Sequence, residues 1–78
     1  MMNLKVFGVA RDIMGGGEIA LTDSIHSVGE LKALLLNRYP KLKELNSLVI
    51  AVNQKYASDE VSVAETDEIA VIPPVSGG

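Results

Sequence analysis

Alternating side chains near the amino terminus predict the first strand. Two sets of side chains alternate over residues 3–10, both of them largely apolar, and an alternation by two is the period of a β-strand. Three consecutive glycines, Gly15 to Gly17, interrupt the alternation, and Glu18 to Leu21 resumes it. The two segments therefore predict a hairpin whose loose loop covers residues 11–17.

A helix is predicted to begin at Ser27. Ser27 precedes Glu30 by three residues, the spacing at which each side chain caps a free backbone N–H of the first turn. Apolar side chains follow at helical spacing: Val28, Leu31, Leu34, Leu35 and Tyr39. Pro40 ends the helix because the residue before a proline is disfavoured in helical dihedrals. Leu42 and Leu45 are then expected to cover the rim of the core.

The second half of the chain predicts further strands. Residues 48–52 form a short apolar run typical of a buried strand, residues 55–63 hold one or two weak strands, and residues 68–72 form the last strand after a polar turn. This order favours an α+β fold, a ubiquitin-like β-grasp with one main helix packed on one face of a mixed sheet. It is the best of a few α+β arrangements that the pattern allows. We expect a domain over residues 1–72 and an extended, flexible tail over 73–78.

Composition narrows the function classes. The chain has 78 residues, of which 47% are hydrophobic and 22% charged, as in a single globular domain. The absence of cysteine excludes disulfides and cysteine-based zinc sites, and one histidine with three aromatics disfavours a self-contained enzyme. The net charge of -3 disfavours a nucleic-acid partner. No apolar run reaches the roughly 20 residues of a membrane span, so we expect a cytoplasmic protein without a membrane partner.

The carboxyl terminus carries the candidate chemistry. Pro73 and Pro74 have no N–H to donate, so strand pairing should stop at Ile72 and the tail should leave the sheet. Gly77 and Gly78 lack β-carbons, so they fit a narrow channel and can bring the α-carboxylate to another protein's reactive centre. The alternative is a frayed end in which both glycines are incidental. The stiff Pro-Pro spacer and the β-grasp pattern favour the first interpretation.

Three segments carry a family resemblance. The opening residues 4–11, the run Ala-Val-Asn-Gln at 51–54 and the ending Asp-Glu-Ile-Ala-Val-Ile-Pro-Pro-Val-Ser-Gly-Gly at 67–78 together resemble the small subunit of molybdopterin synthase. This family is the sulfur carrier of molybdenum cofactor biosynthesis. The sequence departs from the family where Val71 and Ile72 replace frequent aromatics and where Ser76 replaces a common threonine. These departures affect the partner interface and leave the carrier chemistry intact.

The resemblance implies a reaction cycle centred on Gly78. An E1-like adenylyltransferase adenylates its carboxylate with ATP and Mg, and a sulfur donor protein converts the adenylate to a thiocarboxylate. The tail, with Ser76 and Gly77, then enters the large subunit of molybdopterin synthase and delivers sulfur to cyclic pyranopterin monophosphate. The carrier itself would bind no metal and no cofactor, and it would be the sulfur-donating subunit of a sulfurtransferase, not catalytic alone. The implied assembly is a heterotetramer of two small and two large subunits.

Further residues are candidates for partner binding. Alternation assigns one set of side chains to the core-facing side of the sheet: Val6, Ile50, Val52, Ile69 and Val71. It leaves another set on a bare face, where Phe7 and Ile72 are the predicted docking residues: Phe7, Val9, Val49, Ala51, Ala70 and Ile72. Arg11 should close the first strand near the base of the tail, either as a partner contact or as an ordinary surface charge. Five acids after residue 58 would steer this end towards a basic cleft, or form a solvated turn.

Several alternatives remain open at this stage. Within the carrier class, the same ending suits a thiazole-pathway carrier, a tRNA-thiolation carrier or a ubiquitin-like protein modifier. Outside it stands a non-catalytic β-grasp interaction or RNA-binding module with an incidental Gly-Gly. The acidic net charge disfavours the RNA version. His26 has no partner motif and is given no role.

Overall fold

The computed structural model describes residues 1–45 and 48–73 and contains one mixed sheet of five strands. The strands are β1 (Met2–Val6), β2 (Glu18–Leu21), β3 (Val49–Val52), β4 (Lys55–Ala57) and β5 (Ile69–Ile72). The helices are α1 (Val9–Met14), α2 (Val28–Arg38) and a 3-10 helix (Pro40–Glu44). The sheet order is β2-β1-β5-β3-β4, with β1 and β5 parallel and the other pairs antiparallel. The predicted β-grasp is confirmed.

One face of the sheet carries the core. Side chains alternate along β1 between buried and exposed, and α2 covers the buried side. Val6, Ile50, Ile69 and Val71 are buried as predicted, whereas Val52 is half-buried. Largest among the fully buried side chains are Met2, Leu4, Leu21, Leu31, Leu35, Leu42, Ile50 and Ile69. Since each buried aliphatic side chain contributes about 1.5–3 kcal/mol, this single cluster holds the domain together.

Helix α2 begins and ends where the sequence predicts. The Ser27 hydroxyl accepts a hydrogen bond from the Glu30 backbone N–H at 3.2 Å. The other half of the predicted cap is wrong, because no hydrogen bond in residues 1–45 and 48–73 joins the Glu30 carboxylate to the Ser27 N–H; this carboxylate lies 3.5 Å from His26 Nδ1 instead. At the other end, the helix stops at Arg38, two residues before Pro40. Leu42 is buried and Leu45 packs against the core, which confirms the predicted rim.

The predicted strand over residues 3–10 is wrong in its second half. β1 ends at Val6, and the segment expected to be a loose loop contains α1. Gly8 adopts φ +58°, which turns the chain out of the sheet, and Gly15 ends the helix at φ +89°. Ala10 and Met14 bury one face of α1 at a spacing of four residues. This helical spacing outweighs the strand alternation that extends into the same residues.

A polar network fixes where β5 begins. Asn53 lies in the turn between β3 and β4 at φ 52°. Its Nδ2 donates to Asp67 Oδ1 at 3.1 Å, and its Oδ1 accepts from the Glu68 backbone N–H at 2.9 Å. Asp67 Oδ2 also accepts from the Ala64 N–H at 2.8 Å. These bonds hold the turn against the start of β5 and thereby set the register of the strand that leads to the tail.

None of the helices within residues 1–45 and 48–73 is long and apolar enough to cross a bilayer.

Candidate functional site

The strand that leads to the carboxyl terminus is held on both sides. β5 pairs with β1 through Val6 opposite Val71, and with β3 through Val49 opposite Ile72. Beyond the last residue of β1, the Phe7 N–H still donates to the Val71 carbonyl at 3.2 Å. Because a central strand has a neighbour along each edge, the position at which the chain leaves the sheet is fixed.

Pro73 is buried against the turn that follows β1. A β-carbon placed on Gly8 would lie 2.9 Å from Pro73 Cγ and 3.7 Å from its Cδ. The first distance is shorter than an ordinary carbon contact of about 3.5–4.0 Å. Gly8 therefore combines two requirements that only glycine meets at once: a positive φ and no side chain beneath the proline. We call the contact between Gly8 and Pro73 the tail base.

The predicted reactive residues lie beyond this point. Residues 74–78, which include Ser76, Gly77 and Gly78, are outside the residues that the structure describes. Their predicted roles remain predictions.

The sheet face opposite α2 is apolar along β3 and β5, whereas β1 presents Asn3 and Lys5 on it. The phenyl ring of Phe7 is 49% exposed, and it continues the outward-facing positions of β1. Ile72 is half-buried and lies opposite Val49, which is also half-buried. Ala51 pairs with Ala70 on one side and with Tyr56 on the other, and Tyr56 is 80% exposed. These residues form one face of the sheet, which we call the exposed sheet face although Ala51 within it is buried: Phe7, Val49, Ala51, Tyr56, Ala70 and Ile72.

Two assignments on this face differ from the sequence prediction. Val9 was expected there, but it lies on α1 because the chain has already turned at Gly8. Tyr56 was not expected there, although it is the most exposed of the large apolar or aromatic side chains that the structure describes. The sequence could have indicated this position, because extending the period-two alternation into β4 places Tyr56 on the same face as its partner Ala51.

Arg11 lies on α1 and therefore does not close the first strand as predicted. Its carbonyl accepts hydrogen bonds from the Gly15 and Gly16 N–H groups at 2.9 and 3.0 Å. Its guanidinium covers Gly17, where a β-carbon would lie 3.3 Å from Nε. Gly8, Arg11 and Gly16 share an open depression of about 440 Å³ beside the tail base.

The late acidic residues lie at the opposite end of the sheet. Glu65 contacts the amino group of Met1, and Asp67 and Glu68 directly precede β5. Hydrogen bonds from the Ala64 N–H and the Asn53 amide lower the pKa of Asp67. Because β5 runs away from these acids towards Pro73, the prediction that they steer the tail end is wrong.

Within residues 1–45 and 48–73, no three His, Cys, Asp or Glu side chains converge to hold a metal ion.

Comparisons with known proteins connect this geometry to a family. Residues 4–78 match the model of the ThiS family. The chain is 37% identical over 80 residues to the molybdopterin synthase sulfur carrier subunit of Arabidopsis thaliana, covering 99% of this chain and 82% of that protein.

Two solved structures share its fold. Small archaeal modifier protein 1 from Methanosarcina acetivorans superposes with a TM-score of 0.77 at 26% identity, covering 99% of this chain and 95% of that one. A putative molybdopterin converting factor subunit 1 from Pyrococcus furiosus has a TM-score of 0.73 at 29% identity, covering 95% and 97%.

Proposed function

Because the chain belongs to the ThiS family, we propose that it is the sulfur carrier subunit of a molybdopterin synthase. The observation that carries the proposal is the 37% identity to a molybdopterin synthase sulfur carrier subunit over 99% of this chain, and the family match extends to the terminal glycines. We further propose that the carboxylate of Gly78 is the group that carries sulfur. The chain then acts in the cytoplasm as the sulfur-donating half of a sulfurtransferase.

The chemistry needs activation before sulfur is added. A carboxylate is a poor electrophile, so an E1-like enzyme uses ATP with Mg to form the acyl-adenylate and release pyrophosphate. A sulfur nucleophile then forms a C–S bond while the C–O bond to AMP breaks, and AMP leaves. Where the donor sulfur is a persulfide, the product is an acyl disulfide. A second thiol then attacks the donor's own sulfur, the S–S bond breaks, and the thiocarboxylate leaves as a disulfide forms on the donor. Holding this group on a tail that enters the large subunit replaces diffusion by a high effective concentration.

The described residues prepare the tail for this use. β5 is paired on both edges, and the Gly8–Pro73 contact fixes the direction in which the chain leaves the sheet. From Pro73 onwards, six residues extend at most about 20 Å. A large subunit with its active site at that depth must also contact the body of the domain. Phe7 and Ile72 on the exposed sheet face supply an apolar surface for that contact.

Mass spectrometry tests the proposed role of Gly78. The chain produced together with its adenylating enzyme and a sulfur donor should gain the mass of one oxygen-to-sulfur exchange, located at the final residue by fragmentation. Deleting Gly78 should abolish the gain, because the new carboxylate stops about 3.5 Å short of the adenylate site. The thermal unfolding midpoint should hardly change, since a terminal glycine adds almost nothing to the core. Sulfur uptake by the shortened chain would contradict the proposal.

A protein modifier is the second candidate. The similarity to the small archaeal modifier protein of Methanosarcina acetivorans supports it, since the same adenylated carboxylate also suits attack by a lysine amine. The two functions differ in the acceptor. Lysine-linked adducts of this chain in its native cell extract, without pterin conversion by the thiocarboxylated chain and a large subunit, would favour the modifier.

A further inference from the structure

A cluster of basic residues surrounds a notch beside the 3-10 helix. The segment from Arg38 to Glu44 holds three bases and one acid, whereas the whole chain holds seven bases and ten acids. The notch has a volume of about 310 Å³. Its lining combines the side chains of Ile13, Tyr39 and Pro40 with two bases, Arg38 and Lys41. We call it the basic notch.

The basic notch lies at the tail end of the domain. The 3-10 helix packs against both α1 and the end of α2. Helix α1 follows Gly8 directly, and Gly8 contacts Pro73 at the tail base. Ile13 of α1 is itself part of the notch. The notch therefore lies near the end of the domain from which the tail leaves the sheet.

Arg38 is ion-paired beside the notch, whereas Lys41 and Lys43 have no ion-pair partner among residues 1–45 and 48–73. Arg38 Nη2 contacts Asp23 Oδ2 at 3.2 Å, which holds the guanidinium in one orientation. Lys41 and Lys43 are exposed. Among residues 1–45 and 48–73, no carboxylate lies within ion-pair distance of either lysine. Two unpaired cations thus stand next to an apolar recess on a protein that is acidic as a whole.

We propose that the basic notch docks an acidic segment of the adenylating enzyme, with an apolar side chain of that segment in the recess. This inference rests on the proposed function. Charge complementarity identifies the partner surface, because cations at an interface rim select acidic groups and accelerate encounter more than they strengthen the final complex. The enzyme that activates the tail must release the carrier after each cycle, and a charged contact provides fast, reversible association.

Charge reversal with a matched control tests the inference. Lys41→Glu changes the notch, and Lys55→Glu makes the same change at an exposed lysine of β4, away from the tail end. Carrier-dependent pyrophosphate exchange by the adenylating enzyme is measured from about 20 to 500 mM NaCl. We expect Lys41→Glu to lower kcat/KM about tenfold at low salt through KM, and the difference to vanish as salt screens the charges. Lys55→Glu should stay within about twofold of wild type.

Each result decides between defined alternatives. Equal effects of the two substitutions, or a loss that salt does not change, would overturn the inference. A gain in kcat/KM for Lys41→Glu would also overturn it, because the notch would then be holding the chain's own terminal carboxylate. Lys43→Glu repeats the test if Lys41→Glu does not fold. Failure of the proposed function has a separate signature: wild-type chain would support no exchange at any salt concentration, or would support exchange without gaining sulfur in the mass-spectrometry test.

Discussion

Replacing Gly8 by alanine should damage the tail base in a way that can be measured. Gly8 has φ +58° and ψ -143°, which is close to a region that only glycine occupies readily. The added methyl group would also stand 2.9 Å from Pro73 Cγ, on a residue that is buried. Backbone strain and steric overlap therefore act together at this position.

The size of the effect follows from these two causes. Holding alanine in such a conformation costs about 1–3 kcal/mol, and overpacking a buried contact costs about 1–3 kcal/mol more. We expect Gly8→Ala to lose about 2–6 kcal/mol of the free energy of unfolding. Gly15→Ala is the matched control, because Gly15 also has a positive φ, at +89°, but no atom within 4 Å of the added carbon. It should lose only about 1–2 kcal/mol.

Urea unfolding followed by circular dichroism measures both losses. Combining Gly8→Ala with Pro73→Ala, which removes Cγ, completes a double-mutant cycle. The coupling energy should be about 0.5–3 kcal/mol, with the double mutant more stable than the sum of the single losses indicates. A loss for Gly8→Ala no larger than that for Gly15→Ala, together with zero coupling, would refute the steric part of the argument.

Three further substitutions test other parts of the molecule. Phe7→Asp should preserve the circular dichroism spectrum but weaken calorimetric binding to the large subunit by at least about 2 kcal/mol, and unchanged affinity would remove the exposed sheet face from that interface. Gly77→Val should unfold like wild type yet fail in single-turnover conversion of the pterin precursor, because a β-branched residue adds bulk to the tail; full conversion by its thiocarboxylated form would disprove the narrow channel. Asp67→Asn should lower the melting temperature at pH 7, and the difference should shrink as the pH falls through the lowered pKa of Asp67, since a carboxyl with a depressed folded pKa stabilises only while it is ionised. A difference in melting temperature that does not change with pH would show that the negative charge of Asp67 does not contribute to stability.

Most of the sheet could be predicted because its signals are local. The period-two alternation of β2, the apolar run of β3 and the Ser27 cap each depend on a few neighbouring residues. The parallel pairing of β1 with β5 could be predicted only from the order of all the elements. A chain with one helix and several strands has few folds that agree with such an order. The fold therefore followed from patterns that tertiary contacts reinforce.

The first connection could not be predicted by the same means. Residues 9 and 10 satisfy both a strand alternation and the first turn of a helix, so the local pattern is ambiguous. The choice is made at Gly8, which has a positive φ and packs against Pro73, a residue 65 positions further along the chain. A contact of that kind has no local signature. Arg11 was displaced from its predicted position for the same reason.

The topology also explains how a chain with a net negative charge places the basic residues 38–43 near its tail. Because β1 and β5 are parallel, both strands finish at the same end of the sheet. Helix α2 also runs to that end, where the 3-10 helix follows it. The basic residues 38–43 are thereby placed near the tail base, while Glu65, Asp67 and Glu68 gather where β5 begins. The net charge averages over these two ends and indicates a basic partner. Residues 38–43 by themselves indicate an acidic one, and because surface charges more than about 8–10 Å away are screened at physiological salt, an acidic segment that contacts Lys41 and Lys43 is not repelled by the distant acids.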